Sequence, residues 1–416
     1  MALSRLDRQL RIEGWNQTAL DEAALCVVGD DDLLASLFVM SAAALGLNRI
    51  NLIAPTFDQR LMTIARQINP DLDLTAIEAY FTHPALDDLF TQYNVLVDLS
   101  QYGLANKLVI EKGLRENVPV VRGFVFKQND REGFTVFTYR RGREWDELYR
   151  LISPRNLPGN HFDDGALDII IAGMALEETK NLLMGRRTSK DLIAYRRREL
   201  RAEQRNSRIC VVGAGALGNF VGLGLALSGY RNITFIDPDV VEVANLNRQV
   251  LFGDAVGQRK AEASAERLNR MFRTDSRPEA TYFRRDTDIS EFDVIFDCVD
   301  NFETRIVLSE ICERNKKVLI SGGSGVESGQ VIVYEPGKNS RTPADLLGLY
   351  DIVDRRNIES YRRIRASCTY GPDPSVIMTN QIIAGFMVDS YRMLLTGLET
   401  PNIFYNAAGD KRIWRS

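Results

Sequence analysis

Between residues 213 and 305 the chain carries, in order, the side chains that a nucleoside triphosphate site requires. An apolar run, Ile209 to Val212, meets the loop Gly213-Ala-Gly215-Ala-Leu-Gly218. Gly213 permits a tight turn, Gly215 lets a phosphate approach the backbone, and Gly218 lets a helix pack closely on the strand. The free N–H groups at the start of that helix face an anion. The next apolar run, Ile233 to Ile236, ends in Asp237, where an acid reaches a ribose hydroxyl. Asn245-Leu-Asn-Arg248-Gln249, Lys260, Asp300-Asn301 and Arg305 follow. Cations in such a set spread phosphate charge, and a carboxylate holds Mg²⁺.

The loop and its acid alone say only that a nucleotide binds, and an NAD-dependent oxidoreductase uses both. That class leaves Arg248, Lys260 and the Asp300-Asn301 pair without a role. Blander readings are a packing turn with no ligand, Arg248 and Lys260 as surface cations, and Arg305 as a charge on a helix face.

The elements that must position these groups run strand, glycine turn, helix, strand, acid, which is an α/β pattern, and it is written twice. Cys26-Val-Val-Gly29 matches Cys210-Val-Val-Gly213, and Tyr93 to Asp98 matches Phe292 to Asp297. Ile171-Ala-Gly173-Met matches Ile383-Ala-Gly385-Phe. Two copies of one α/β domain are expected, residues 1–190 and 191–416, with a polar and helical connection over 185–199. The copies differ in chemistry. Asp31 and Leu34 replace Gly215 and Gly218, Ala54 replaces Asp237, and Gln101, Tyr102 and Asn106 replace Asp300, Asn301 and Arg305. Asp30 to Asp32 would repel a phosphate. The first copy therefore has the fold without a nucleotide site, unless its pocket takes a different ligand.

The ordered set over residues 205–397 resembles the adenylating domain of the ubiquitin-activating and ThiF/MoeB-like family. The resemblance implies an internal pseudo-dimer of tandem Rossmann-like adenylation domains, the first inactive. It implies that Asp237 holds the ribose of ATP, that Asn245, Arg248, Gln249 and Lys260 surround the phosphates, that Asp300 ligates Mg²⁺, and that Asn301 and Arg305 complete that corner. Asp7-Arg8-Gln9-Leu10 resembles a short element that carries an arginine across the interface, which assigns Arg8 to the active site; otherwise Arg8 is an exposed helix residue. Cys368 ends a polar insertion at about 338–373, just before a long apolar helix over roughly Ser375 to Leu395. By the same resemblance it takes a ubiquitin-like protein as a thioester and passes it to a conjugating enzyme. The alternative is adenylyl transfer to a sulfur-carrier protein without an enzyme thioester. A non-catalytic binding scaffold is the reading the first copy alone suggests. The tail from Asn402 is expected to form one strand.

The 416-residue chain is 45% apolar and 26% charged with net charge −4, the proportions of a globular protein with room for two domains. That balance gives no nucleic-acid footprint. No apolar run reaches the roughly 18 residues of a membrane helix, and the charged start MALSRLDRQLRIEGW lacks a signal-peptide core. Arg196-Arg197-Arg198 and Arg362-Arg363 read as solvated helix faces. Cys26, Cys210, Cys298, Cys312 and Cys368 are scattered, which fits a reducing cytoplasm without disulfides. With His83 and His161 as the only histidines, local spacing assembles no zinc site and no zinc is expected. Many ThiF-like relatives differ there, with two C-x-x-C pairs.

Overall fold

A computed structural model describes residues 4–89, 92–140, 152–153, 161–201, 205–355, 373–409 and 411–416. The apolar runs become the centres of two sheets. The first contains β1 (Ala24–Val28), β2 (Arg49–Ala54), β3 (Asp73–Glu78), β4 (Val95–Asp98), β5 (Val120–Gln128), β6 (Arg131–Tyr139) and β7 (Ile193–Arg198). The second contains β8 (Ile209–Val212), β9 (Ile233–Ile236), β10 (Arg277–Glu279), β11 (Val294–Asp297), β12 (Val318–Ser324), β13 (Ser328–Tyr334), β14 (Ile403–Asn406) and β15 (Ile413–Arg415).

Their orders are β3-β2-β1-β4-β5-β6-β7 and β10-β9-β8-β11-β12-β13-β14-β15. In each sheet the first five strands pair parallel and the remainder antiparallel. The α/β expectation holds, as two mixed sheets of like strand order. β1 and β8 are buried along their whole length, so their sequences run apolar without alternation, as strands covered on both faces do. In the second sheet the order reverses between β8 and β11, which opens a crevice at their carboxyl ends.

Two long helices, Gly165–Leu183 and Ile377–Leu395, are buried over nearly all their residues. They pack on each other, and each also packs on one sheet. Their contact is reciprocal. A Cβ placed on Gly173 would lie 2.8 Å from Ile382, and one on Gly385 would lie 2.5 Å from Ile170. Gln381 Nε2 donates to the Ile169 carbonyl at 3.0 Å across the same seam.

Three expectations fail here. Residues 185–199 are not a helical connection. The chain forms β7 on the edge of the first sheet, which so extends past residue 190. Ile193, Tyr195 and Arg197 alternate inward, and Arg197 is not solvated. It pairs with Glu132, with Asp164 at 2.6 Å and with Asp389 at 2.7 Å. Arg392 reaches the same Asp164 at 2.6 Å. Burial alone would raise the Asp164 pKa, but Arg392 and Arg197 overcome it and hold the group below its ordinary value. Buried charges survive because each meets its opposite. The tail is a hairpin of β14 and β15, not one strand. Arg362 and Arg363 lie outside the described residues. Among the described residues no helix is long and apolar enough to cross a membrane.

Candidate functional site

The crevice at the ends of β8, β9 and β11 is a cavity of about 1170 Å³. Arg8, Gly213, Gly215, Asp237, Asn245, Arg248, Gln249, Lys260, Asp300, Asn301 and Arg305 all line it. Gly218 stands behind the wall, and Cys368 lies outside the described residues.

β8 delivers Gly213 with φ +93°, a value that suits glycine. Gly218 lies so close beneath that a Cβ there would sit 1.9 Å from the Gly213 carbonyl oxygen. Gly215 begins the helix Ala216–Leu227, and no side chain caps that helix. A Cβ on Gly215 would find only Gln249 Nε2, at 3.9 Å. The first turn therefore opens on the cavity with its N–H groups available to an anion. Asp237 fixes this loop against β9: its Oδ2 accepts the Ala214 amide at 2.7 Å, its Oδ1 the Asp239 amide at 2.8 Å. Burial pushes its carboxyl pKa up, while Lys260 and the two amides pull against that shift.

The opposite wall is cationic. Asn245 Oδ1 accepts the Glu242 amide at 2.8 Å and so holds the turn that precedes Arg248. Arg248 Nη1 donates to the Ala244 carbonyl at 2.8 Å and to Asn247 Oδ1 at 2.7 Å. Among the described residues it forms no ion pair. Burial, then the like charge of Arg8, pull its pKa down to about 10. Arg8 arrives on the short helix Asp7–Leu10 and donates from Nη1 to the Asp373 carbonyl at 2.8 Å. Its neighbour Gln9 fixes it in place. Gln9 Nε2 donates to the Leu45 carbonyl at 2.8 Å, and Gln9 Oε1 accepts from Asn247 at 3.1 Å. Arg8 Nε and Gln249 Oε1 are buried without a hydrogen-bond partner among the described residues.

Asp300 is exposed on the cavity wall, with Arg248 among the charges it influences. Asn301 Oδ1 accepts the Thr304 amide at 2.8 Å and caps the helix Phe302–Arg314. Arg305 is largely spent on structure. It donates to the Val299 and Gly322 carbonyls at 2.6 Å each and to Ser321 at 3.3 Å, and stands 3.7 Å from buried Asp297.

A model of the ThiF family matches residues 189–414. The chain belongs to the ThiF family. Among curated relatives, the adenylyltransferase and sulfurtransferase MOCS3 of Drosophila yakuba is 30% identical over 196 residues, 44% of this chain and 43% of that protein. The molybdopterin-synthase adenylyltransferase of Escherichia coli (strain K12) is 35% identical over 135 residues, 31% of this chain and 54% of that protein. The chain thus spans about half the length of the curated relatives it matches. Among solved structures, E. coli MccB with ATP aligns with a TM-score of 0.41 at 22% identity, covering 51% of this chain and 63% of that one.

Membership of the ThiF family sets aside the oxidoreductase reading that the glycine loop alone leaves open. Within this ThiF-family site, the sequence reading missed Asp239. Its Oδ2 accepts from Lys260 Nζ at 2.8 Å and fixes that amine at the cavity edge. The motif Asp237-Pro-Asp239 was the available signal. It also missed how the first sheet compensates for lacking Arg305. There Asp98, opposite Arg122 on β5, takes that arginine at 2.9 Å and Asn106 at 2.9 Å. In the second sheet Asp297 lies opposite Ser321, and the cation comes from the helix instead. Each buried aspartate keeps one arginine, supplied by a different element.

Proposed function

We propose that the chain transfers AMP from ATP to the C-terminal carboxylate of a ubiquitin-like or sulfur-carrier protein, and that the enzyme's chemistry stops at the acyl-adenylate. The observation that carries this reading is the cavity's pairing of two arginines that have no carboxylate ion-pair partner among the described residues, Arg8 and Arg248, with an uncapped glycine-loop helix. The two relatives are by name adenylyltransferases, which supports the reaction class.

In this reaction a carboxylate oxygen attacks the α-phosphorus, the bond to the bridging oxygen breaks, and pyrophosphate leaves with the electron pair. Two anions must meet, so the site has to lower their repulsion and hold them in line. In the proposed arrangement Asp237 accepts from the ribose, the helix start and Arg248 hold the phosphates, and Lys260 and Arg8 stabilise charge on the leaving group. In the same arrangement Asp300 would hold Mg²⁺, which when bound neutralises polyphosphate charge. Asn245, Asn301 and Arg305 act by keeping these walls in position.

By the same reading residues of the first sheet form an inactive adenylation unit, and the two units make an internal pseudo-dimer. Matching strand order and the reciprocal Gly173 and Gly385 contacts support this. The boundary between units then follows β7. Transfer to Cys368 and on to a conjugating enzyme rests on a residue outside the described ones, and is not needed by the adenylation proposed.

Calorimetry of Mg-ATP and of NAD tests the reading. One Mg-ATP site per chain, weakened by Asp300→Ala and Arg248→Ala, is expected; preferential NAD binding indifferent to both would overturn it. A carrier adduct cleaved by thiol reductant and abolished by Cys368→Ala would reinstate the thioester step.

A further inference from the structure

At the end of β1, where the other sheet has its glycine loop, the chain places Asp30 and Asp31, both buried. Asp31 is 1% exposed. Its Oδ1 accepts the Leu33 and Leu34 amides at 3.0 and 2.8 Å. Its Oδ2 is buried and, among the described residues, accepts nothing. Asp168, also 1% exposed, repeats the pattern: Oδ2 accepts the Asp164 amide at 2.9 Å and Oδ1 has no partner. A buried carboxylate oxygen without a donor is costly. The nearby arginines are already engaged, Arg122 with Asp98, and Arg197 and Arg392 with Asp164.

His161 and Asp163 reach this place from the segment before the helix Gly165–Leu183. One ligand atom from each of Asp31, His161 and Asp163 lies within 4.8 Å of the other two. His161 Nε2 stands 3.2 Å from Asp163 Oδ2. Asp31 lies at the floor, and the other two groups stand at the solvent edge.

We propose that Asp31, His161 and Asp163 bind a divalent transition-metal ion of the Zn²⁺ type. Two carboxylates and one imidazole suit such an ion, and three protein ligands at an open edge leave further positions to water. The site is independent of the adenylation reading, because it shares no residue with that cavity.

The experiment titrates the full, chelator-stripped chain with Zn²⁺ by calorimetry. Co²⁺ absorption serves as a second probe. Expected are one equivalent bound, and weakening by about tenfold or more in Asp31→Asn and in His161→Ala, with affinity unchanged in Asp300→Ala. Absence of binding, binding indifferent to both substitutions, or loss of binding in Asp300→Ala would each overturn the proposal. His161→Ala and Asp163→Ala alter half-buried or exposed edge groups, so they carry the test if Asp31→Asn fails to fold.

Discussion

Arg248 is buried and hydrogen-bonded, yet no carboxylate among the described residues neutralises it, and Arg8 adds a second positive charge nearby. Two like charges brought together raise the energy of the empty cavity and lower it when a polyanion enters. Arg8→Ala and Arg248→Ala should each reduce carrier-dependent ATP–pyrophosphate exchange by about 10²-fold or more, with an unchanged far-UV spectrum. The first sheet carries the opposite arrangement and a pH prediction. Asp31 and His161 both bind protons more tightly in the folded chain. Their contribution to stability is full below the unfolded values near 3.8 and 6.5, and is lost as pH rises through about 8 and about 9. In chelator, wild-type melting temperature should therefore fall relative to Asp31→Asn between about pH 5 and pH 8; a constant difference would contradict the sign.

At the scale of elements, the glycine loop separates two kinds of demand. Gly218 abuts the Gly213 backbone, so Gly218→Ala should cost about 3 kcal/mol of stability by overpacking and weaken ATP only through that disorder. Gly215 faces the cavity, so Gly215→Ala should cost about 1 kcal/mol or less as a helix-start change and still weaken Mg-ATP binding. Thermal melts paired with calorimetry separate the two. These elements were legible because their residues are local: strand, loop, helix and acid follow one another within one short stretch. β7 was misread because three arginines dominate it, although Ile193, Tyr195 and Arg197 carry the period-two pattern of a strand. The Asp31, His161 and Asp163 cluster was not legible at all, since the packing of the helix Gly165–Leu183 on β4, β5 and β6 brings distant segments together. The exchange of Arg305 for Arg122 was hidden for the same reason, because it trades a helix position for a strand position.

At the scale of the whole molecule, charges cross between the two sheets. Arg197 of β7 meets Asp389 of the C-terminal helix, Asp164 meets Arg392, and Glu178 meets Arg412 at 2.8 Å. Arg197→Ala should cost about 3–5 kcal/mol, since it leaves buried carboxylates uncompensated, whereas a substitution at neighbouring exposed Arg196 should shift stability by about 0.5 kcal/mol or less. Denaturant melts of the two variants test the contrast. Separated, the parts would leave buried Glu178, Asp389, Arg392 and Arg412 without the ion-pair partners they have across the seam. A gene severed between Arg198 and Ile209 should yield two polypeptides that each aggregate when expressed singly and become soluble when co-expressed. The peptide connection at that point does not hold the parts together; it fixes at one to one a partnership that diffusion would otherwise have to find.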